Sequence, residues 1–156
     1  MEKKYCKQLI NQIKVDKDLE DNWVLQNFPH KKHIKVNIDG IENYKWFINL
    51  IKKDVKRTNP NLELSELITL LVYKKGDYFK PHTDASSYDA YLSAGYILNK
   101  DYEGGDYIIK GNTLNNIEIG ELFTFGRDDM HEITEVTNGI RYSIHFALKN
   151  PKKSII

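Results

Sequence analysis

The chain has 156 residues, 40% of them hydrophobic and 29% charged, with 23 basic against 22 acidic side chains and a net charge of +1. That length suits one globular domain with a real core, and the balanced charge removes any long-range attraction to nucleic acid or to an anionic membrane. A single cysteine, Cys6, leaves no intrachain disulfide and no thiolate zinc cluster.

Residues 2–14 place Tyr5, Leu9, Ile10 and Ile13 at helical spacing, with Cys6 in the same pattern as a packing residue. Short extended stretches follow over 23–38, where Ile34 to Ile38 alternates with period two before an Asp39-Gly40 turn. Residues 43–57 form the clearest helix: Tyr44, Phe47, Ile48, Ile51 and Val55 make one apolar stripe with lysines opposite, and Asn59-Pro60-Asn61 ends it. From residue 62 the pattern turns to strands, predicted over 66–74, 78–83, 90–99, 105–110, 115–119, 121–125, 130–137 and 140–148. Gly76, Gly104 and Gly105 read as turn formers, and Asn138-Gly139 predicts a tight hairpin between the last two strands. Two packing helices ahead of many short strands predict a mainly β domain of jelly-roll type over 1–156. Residues 1–61 act as helical support, and residues 62–148 form the β core.

His82-Thr83-Asp84 is the sharpest local feature. On an extended strand residues i and i+2 face the same way, so His82 and Asp84 can reach one metal. Two histidines and a carboxylate on one face of an octahedron leave three open positions, the arrangement of non-heme Fe(II) oxygenases. The third ligand must be His30, His33, His131 or His145. His30 and His33 lie in a Lys-rich stretch and read as surface residues. On the last strand Arg141, Ser143 and His145 share a face. With His131 as the ligand, Arg141 lies across the predicted hairpin, deeper in the same pocket, and can hold a carboxylate with help from Ser143. With His145 as the ligand no arginine follows. His131 is the better choice.

The stretch from Tyr73 through Gly76 and Phe79 to His82 and Asp84 resembles the Y-x-x-G-x-x-F-x-x-H-x-D signature of prolyl 4-hydroxylase-like oxygenases. Tyr96-Ile-Leu-Asn99 with Gly104-Gly105, Gly120-Glu-Leu-Phe-Thr-Phe125, and His131 followed by Arg141-Tyr-Ser143 resemble further motifs of that family in the same order. The resemblance implies a double-stranded β-helix (jelly-roll) core, Fe(II) on His82, Asp84 and His131, and 2-oxoglutarate and O2 as cosubstrates, with ascorbate as a further candidate. It implies that Arg141, with Ser143, holds the far carboxylate of 2-oxoglutarate, and that Tyr73 approaches the cosubstrate or substrate. An intact Asp84 implies hydroxylation, since relatives with a small residue there can halogenate.

A peptidyl proline is the substrate suggested by analogy. Prolyl members often carry Lys where this chain has Arg141, and the Asp101-Tyr-Glu-Gly-Gly105 turn is reminiscent of lysyl hydroxylases, so a peptidyl lysine or a free amino acid stands as the alternative. Residues 85–91, just past Asp84, suggest a lid. A non-catalytic cupin-like metal binder is the competing class, and it would need neither Arg141 nor Ser143. Nucleobase demethylation would favour a basic groove, which the charge balance does not provide. The start Met-Glu-Lys-Lys lacks the apolar region of a secretion signal, and no apolar run nears the roughly 20 residues of a membrane span. The expectation is a monomeric cytoplasmic enzyme acting on a peptide, protein or amino acid.

Overall fold

Apolar periodicity builds the helical side of the molecule, which a computed structural model describes over residues 1–84, 91–114 and 116–151. Helix α1 (Lys3–Val15) buries Cys6, Leu9, Ile10 and Ile13. A single turn, α2 (Lys17–Glu20), follows, its first turn capped by the Asp16 carboxylate accepting from the Leu19 N–H at 3.1 Å. Helix α3 (Lys45–Thr58) buries Phe47, Ile48, Ile51 and Val55 on the predicted stripe and is entered through a 3-10 turn at Glu42–Tyr44. Lys56 and Arg57 fall in its last turn, where cations favour the helix dipole. Asp54 is the one acidic group on the buried stripe. The Tyr96 hydroxyl donates to it at 2.8 Å and the Arg57 guanidinium at 2.7 Å. No helix among the described residues is long and apolar enough to cross a membrane.

The strands are β1 (Val24–Phe28), β2 (Lys31–Asn37), β3 (Glu63–Tyr73), β4 (Tyr78–His82), β5 (Leu92–Ile97), β6 (Glu103–Gly104), β7 (Tyr107–Ile109), β8 (Asn112–Thr113), β9 (Phe123–Gly126), β10 (His131–Ile133), β11 (Val136–Asn138) and β12 (Arg141–Lys149). They form one curled antiparallel sheet in the order β8-β7-β10-β4-β2-β3-β12-β5-β9, with β1 added to β2, and a small second pair of β6 and β11. This is the mainly β, jelly-roll architecture that the strand pattern predicts. The first third of the chain contributes strands as well as helices, and β2 lies between β3 and β4.

Period-two alternation divides each long strand between two cores. On β12, Tyr142, Ile144, Phe146 and Leu148 face the helices and join Val36, Leu70 and Val72 against α1 and α3. The opposite face of the sheet encloses a smaller cluster of Tyr73, Tyr107, Ile109, Phe125, Ile133 and Val136. Arg141, Ser143 and His145 alternate with the helix-facing residues of β12 and so point into this interior.

Two expectations require correction. Among the described residues 116–119 no strand forms; the predicted strand over 115–119 is replaced by bends and a turn leading to Gly120. Asn138-Gly139 does not close a hairpin. β11 pairs with β6, whereas β12 pairs with β3 and β5, so the chain crosses from one sheet to another there. Gly139 still needs its positive φ of 79°, and a Cβ on it would lie 2.9 Å from the Asp101 carbonyl oxygen. The turn chemistry was recognisable from the dipeptide; its partner strand was not, because an Asn-Gly corner serves a sheet-to-sheet crossing as well as a hairpin. The suggested lid at 85–91 falls almost wholly outside the described residues.

Candidate metal centre and carboxylate pocket

His82 ends β4 and His131 opens β10, and the two are direct cross-strand partners. Asp84 lies two residues past His82, held by its N–H donating to the Arg127 carbonyl at 2.9 Å. The sheet register therefore brings His82, Asp84 and His131 together, with one donor atom from each within 4.8 Å of the others. His131 Nε2 stands 3.6 Å from Asp84 Oδ1.

Hydrogen bonds set the chemistry of these groups. His82 Nδ1 is 2.7 Å from the Lys80 carbonyl, and His131 Nδ1 is 2.9 Å from the Asp129 carbonyl. A carbonyl oxygen only accepts, so each Nδ1 must donate and each Nε2 is left with a free lone pair. Such outer partners orient metal-binding imidazoles. Burial and the neighbouring His131 keep the His82 imidazole below its ordinary pKa, only partly offset by the Lys80 carbonyl. Burial pushes the Asp84 carboxyl up, but nearby His145 and a hydrogen bond from Ser93 outweigh it and hold the pKa at about 2. The set thus offers two imidazole Nε2 atoms and one carboxylate, the donor types suited to a divalent transition metal.

Deeper in the roll lies Arg141, completely buried at 0% exposure. Its Nε donates to the Gly105 carbonyl at 3.1 Å and its Nη1 to Ser143 Oγ at 2.8 Å. The guanidinium lies over the rings of both Tyr73 and Tyr107, with centroids 5.4 and 5.6 Å from Cζ. The Tyr107 ring also stacks on His131 at 6.2 Å, linking the arginine to the histidine pair. Two buried donors, Arg141 Nη2 and the Tyr73 hydroxyl, have no hydrogen-bond partner among the described residues. A buried, unpartnered cation is costly, and its obvious complement is an anion.

All six residues singled out in the sequence line one interior, but the path joining them differs from the one expected. His131 and Arg141 do not face each other across a hairpin; β4, β2 and β3 intervene between β10 and β12, and the curl of the sheet brings them together. His33 is not a surface residue. It is 2% exposed on β2, stacked on Tyr73 at 4.8 Å and on Phe79 at 5.4 Å, and burial with nearby Lys31 and Lys35 lowers its pKa to about 3. The Lys-rich flanks concealed it; Ile34 and Val36 supply the helix-facing side of β2, and that period of two is the signal that would have placed His33 on the opposite, inner face. Tyr107, Ser93 and Gly105 also belong to the site. Gly105 has φ 62°, and a Cβ on it would lie 3.1 Å from Arg141 Cδ. Read as a turn former alone, it also leaves the space that Arg141 occupies.

A profile of the 2OG-Fe(II) oxygenase superfamily matches residues 68–149, from β3 through β12. No curated protein matches the chain. Among solved structures, a prolyl-4-hydroxylase of Pseudomonas putida aligns with a TM-score of 0.69 at 15% identity, over 96% of this chain and 88% of that one. A Trichoplax adhaerens prolyl hydroxylase in complex with a hypoxia inducible factor oxygen degradation domain peptide fragment gives 0.68 at 17%, over 95% and 80%. The non-heme α-ketoglutarate-dependent epimerase SnoN from nogalamycin biosynthesis gives 0.66 at 12%, over 94% and 71%. At these identities the structural likeness concerns the fold. The sequence match spans more than half of the chain, and by it this protein belongs to the 2OG-Fe(II) oxygenase superfamily, oxidoreductases that use Fe(II) and 2-oxoglutarate.

Proposed function

We propose that this chain, acting as one domain with residues 1–61 supporting the β core of 62–148, hydroxylates a C–H bond of a peptidyl proline. Fe(II) would be held by His82, Asp84 and His131, and 2-oxoglutarate by Arg141, Ser143 and Tyr73. The carrying observation is the buried Arg141 guanidinium, whose Nη2 has no partner among the described residues. Together with the Tyr73 hydroxyl it offers two dry donors to one end of a dicarboxylate. A non-catalytic binding module would have no use for such a cation.

The bound metal supplies the activation of O2 at the expense of 2-oxoglutarate, which leaves as succinate and CO2 while the substrate gains a hydroxyl. The protein's own residues set the geometry. Ser143 and the Gly105 carbonyl lock two sides of the guanidinium, so its third nitrogen has one direction left. Tyr73 and Tyr107 pack their rings against the cation. The Lys80 and Asp129 carbonyls hold both imidazoles in the tautomer with a free Nε2. An intact Asp84 fills the position that a halide would need, which favours hydroxylation.

Support for the proline assignment comes from two structural neighbours described as prolyl hydroxylases, one of them with a peptide bound. The epimerase among the neighbours keeps the same fold in another chemistry, so fold alone does not select the substrate. The test is anaerobic loading with Fe(II), then O2, 2-oxoglutarate and ascorbate with peptides containing proline or lysine and with free amino acids. Succinate release and a gain of one oxygen on a prolyl residue are expected. A gain on lysine or on a free amino acid would reassign the substrate. Absence of 2-oxoglutarate-dependent succinate in the iron-loaded protein would refute the reaction, as would an Asp84→Ala protein that turns over like the wild type.

A further inference from the structure

The Asp84 carboxylate has two oxygens in different surroundings. Oδ1 faces His131 Nε2 at 3.6 Å. Oδ2 accepts from Ser93 Oγ at 2.5 Å and stands 3.5 Å from His145 Nε2. We infer that His145 is a positioning residue, which with Ser93 ties down Oδ2 so that Asp84 presents only Oδ1 to the metal. This rests on the metal-centre reading above.

The backbone explains why His145 can do this. It lies on the inward face of β12, two residues beyond Ser143 and four beyond Arg141, in register with Gly95 of β5. A Cβ on Gly95 would clash with the Ile144 carbonyl oxygen and stand 3.2 Å from Phe123 Cζ, so the glycine allows β5 its close approach to β12 beside His145. Ser93 occupies the same face of β5 two residues away, so the two donors converge on one oxygen from neighbouring strands. His145 Nε2 is buried and has no hydrogen-bond partner among the described residues other than this near contact. It stands outside the group of donor atoms that lie mutually within 4.8 Å, so it supports a ligand and does not join the set.

The consequence is one of coordination number. A carboxylate bound through one oxygen, with two imidazoles, leaves three positions for cosubstrate and O2. A carboxylate free to swing would take a further position through Oδ2. Partners of this kind usually change metal affinity by about 10–100-fold when removed.

The test uses Co(II) titrations of the full chain, followed by electronic absorption, without turnover. His145→Phe keeps a ring and removes the donor; His145→Gln keeps an amide donor near the Nε2 position. Expected are tight binding by wild type, loss in Asp84→Ala, a 10–100-fold weaker Kd in His145→Phe, and near wild-type affinity in His145→Gln. A folded His145→Phe protein that binds Co(II) like wild type overturns the inference. So does an equal collapse of both variants to the level of Asp84→Ala, which would make His145 a ligand. Failure of wild type to bind Co(II) would instead overturn the metal centre itself. Should His145→Phe not fold, histidine 15N spectra of the Zn(II)-loaded wild type decide: a protonated His145 Nε2 supports the inference, and an unprotonated one overturns it.

Discussion

Replacing Arg141 by Met separates a cation kept for a ligand from one kept for the fold. The guanidinium is fully buried, two of its nitrogens are partnered, and Nη2 has no partner among the described residues. An unsatisfied buried donor costs about 1–3 kcal/mol, more when charged. Exchange of a buried ion for a well-packed hydrophobe of similar volume is often neutral or stabilising. Arg141→Met should therefore melt at the wild-type temperature or above it when no cosubstrate is present. Cosubstrate binding should suffer: a hydrogen bond to a charged group contributes about 1.5–3 kcal/mol, a factor of roughly ten to a hundred in affinity.

The assay is thermal melting of the anaerobic, metal-loaded protein at a 2-oxoglutarate concentration a hundred times the wild-type Kd. Ligand at that excess stabilises the wild type by about 2.7 kcal/mol. For a chain of this size that is a rise in Tm of about 5–10 °C. A hundredfold weaker variant would sit near half-saturation, gain about 0.4 kcal/mol and shift by about 1 °C. An undiminished shift in Arg141→Met would refute the clamp. A variant unstable by several kcal/mol without ligand would show that the cation serves the fold.

Tyr73→Phe removes the second donor without a partner among the described residues; its stability without cosubstrate should hold or improve by up to about 1 kcal/mol, while the KM for 2-oxoglutarate rises severalfold. Gly105→Ala meets both a positive φ and Arg141 Cδ at 3.1 Å; a loss of about 1–3 kcal/mol in urea unfolding is expected, together with weaker 2-oxoglutarate binding. Asp54→Asn tests the helix-to-sheet contact through pH. Burial raises the Asp54 carboxyl pKa, but bonds from Arg57, Tyr96 and the amino terminus bring it below the ordinary value of 3.8. A depressed folded-state pKa contributes stability that is complete above the unfolded value and is lost as pH falls through the folded one. The stability gap between wild type and Asp54→Asn in urea should accordingly be widest near neutral pH and shrink below about pH 4.

What could be read from the chain differs in kind between the helices, the strands and the site. The stripes of α1 and α3 were legible because a helix packing on one sheet shows a single apolar face. Strand positions were legible where alternation was long, as over β3 and β12, and failed over 115–119, where apolar residues flank a bend. Pairing was not legible at all. The Asn138-Gly139 corner looks the same whether its strands pair together or leave for different sheets, since only partners distant in sequence decide between these.

The grouping of His131 with Arg141 nevertheless depended little on the hairpin. Alternation puts Arg141, Ser143 and His145 on one face of β12, and that face had to be the inner one because Tyr142, Ile144, Phe146 and Leu148 supply the apolar face that the helices cover. A curled sheet has only one concave face, so a polar inner face and a histidine opening a strand of the same sheet are brought toward each other whichever strands lie between them. The same reasoning would have brought His33 inside, since Ile34 and Val36 supply the helix-facing side of β2 and leave His33 on the other face. It also places His145 in the interior on the same terms as Arg141. Its role depends on which oxygen of Asp84 it faces, and that is a matter of a few ångströms that no spacing in the sequence encodes.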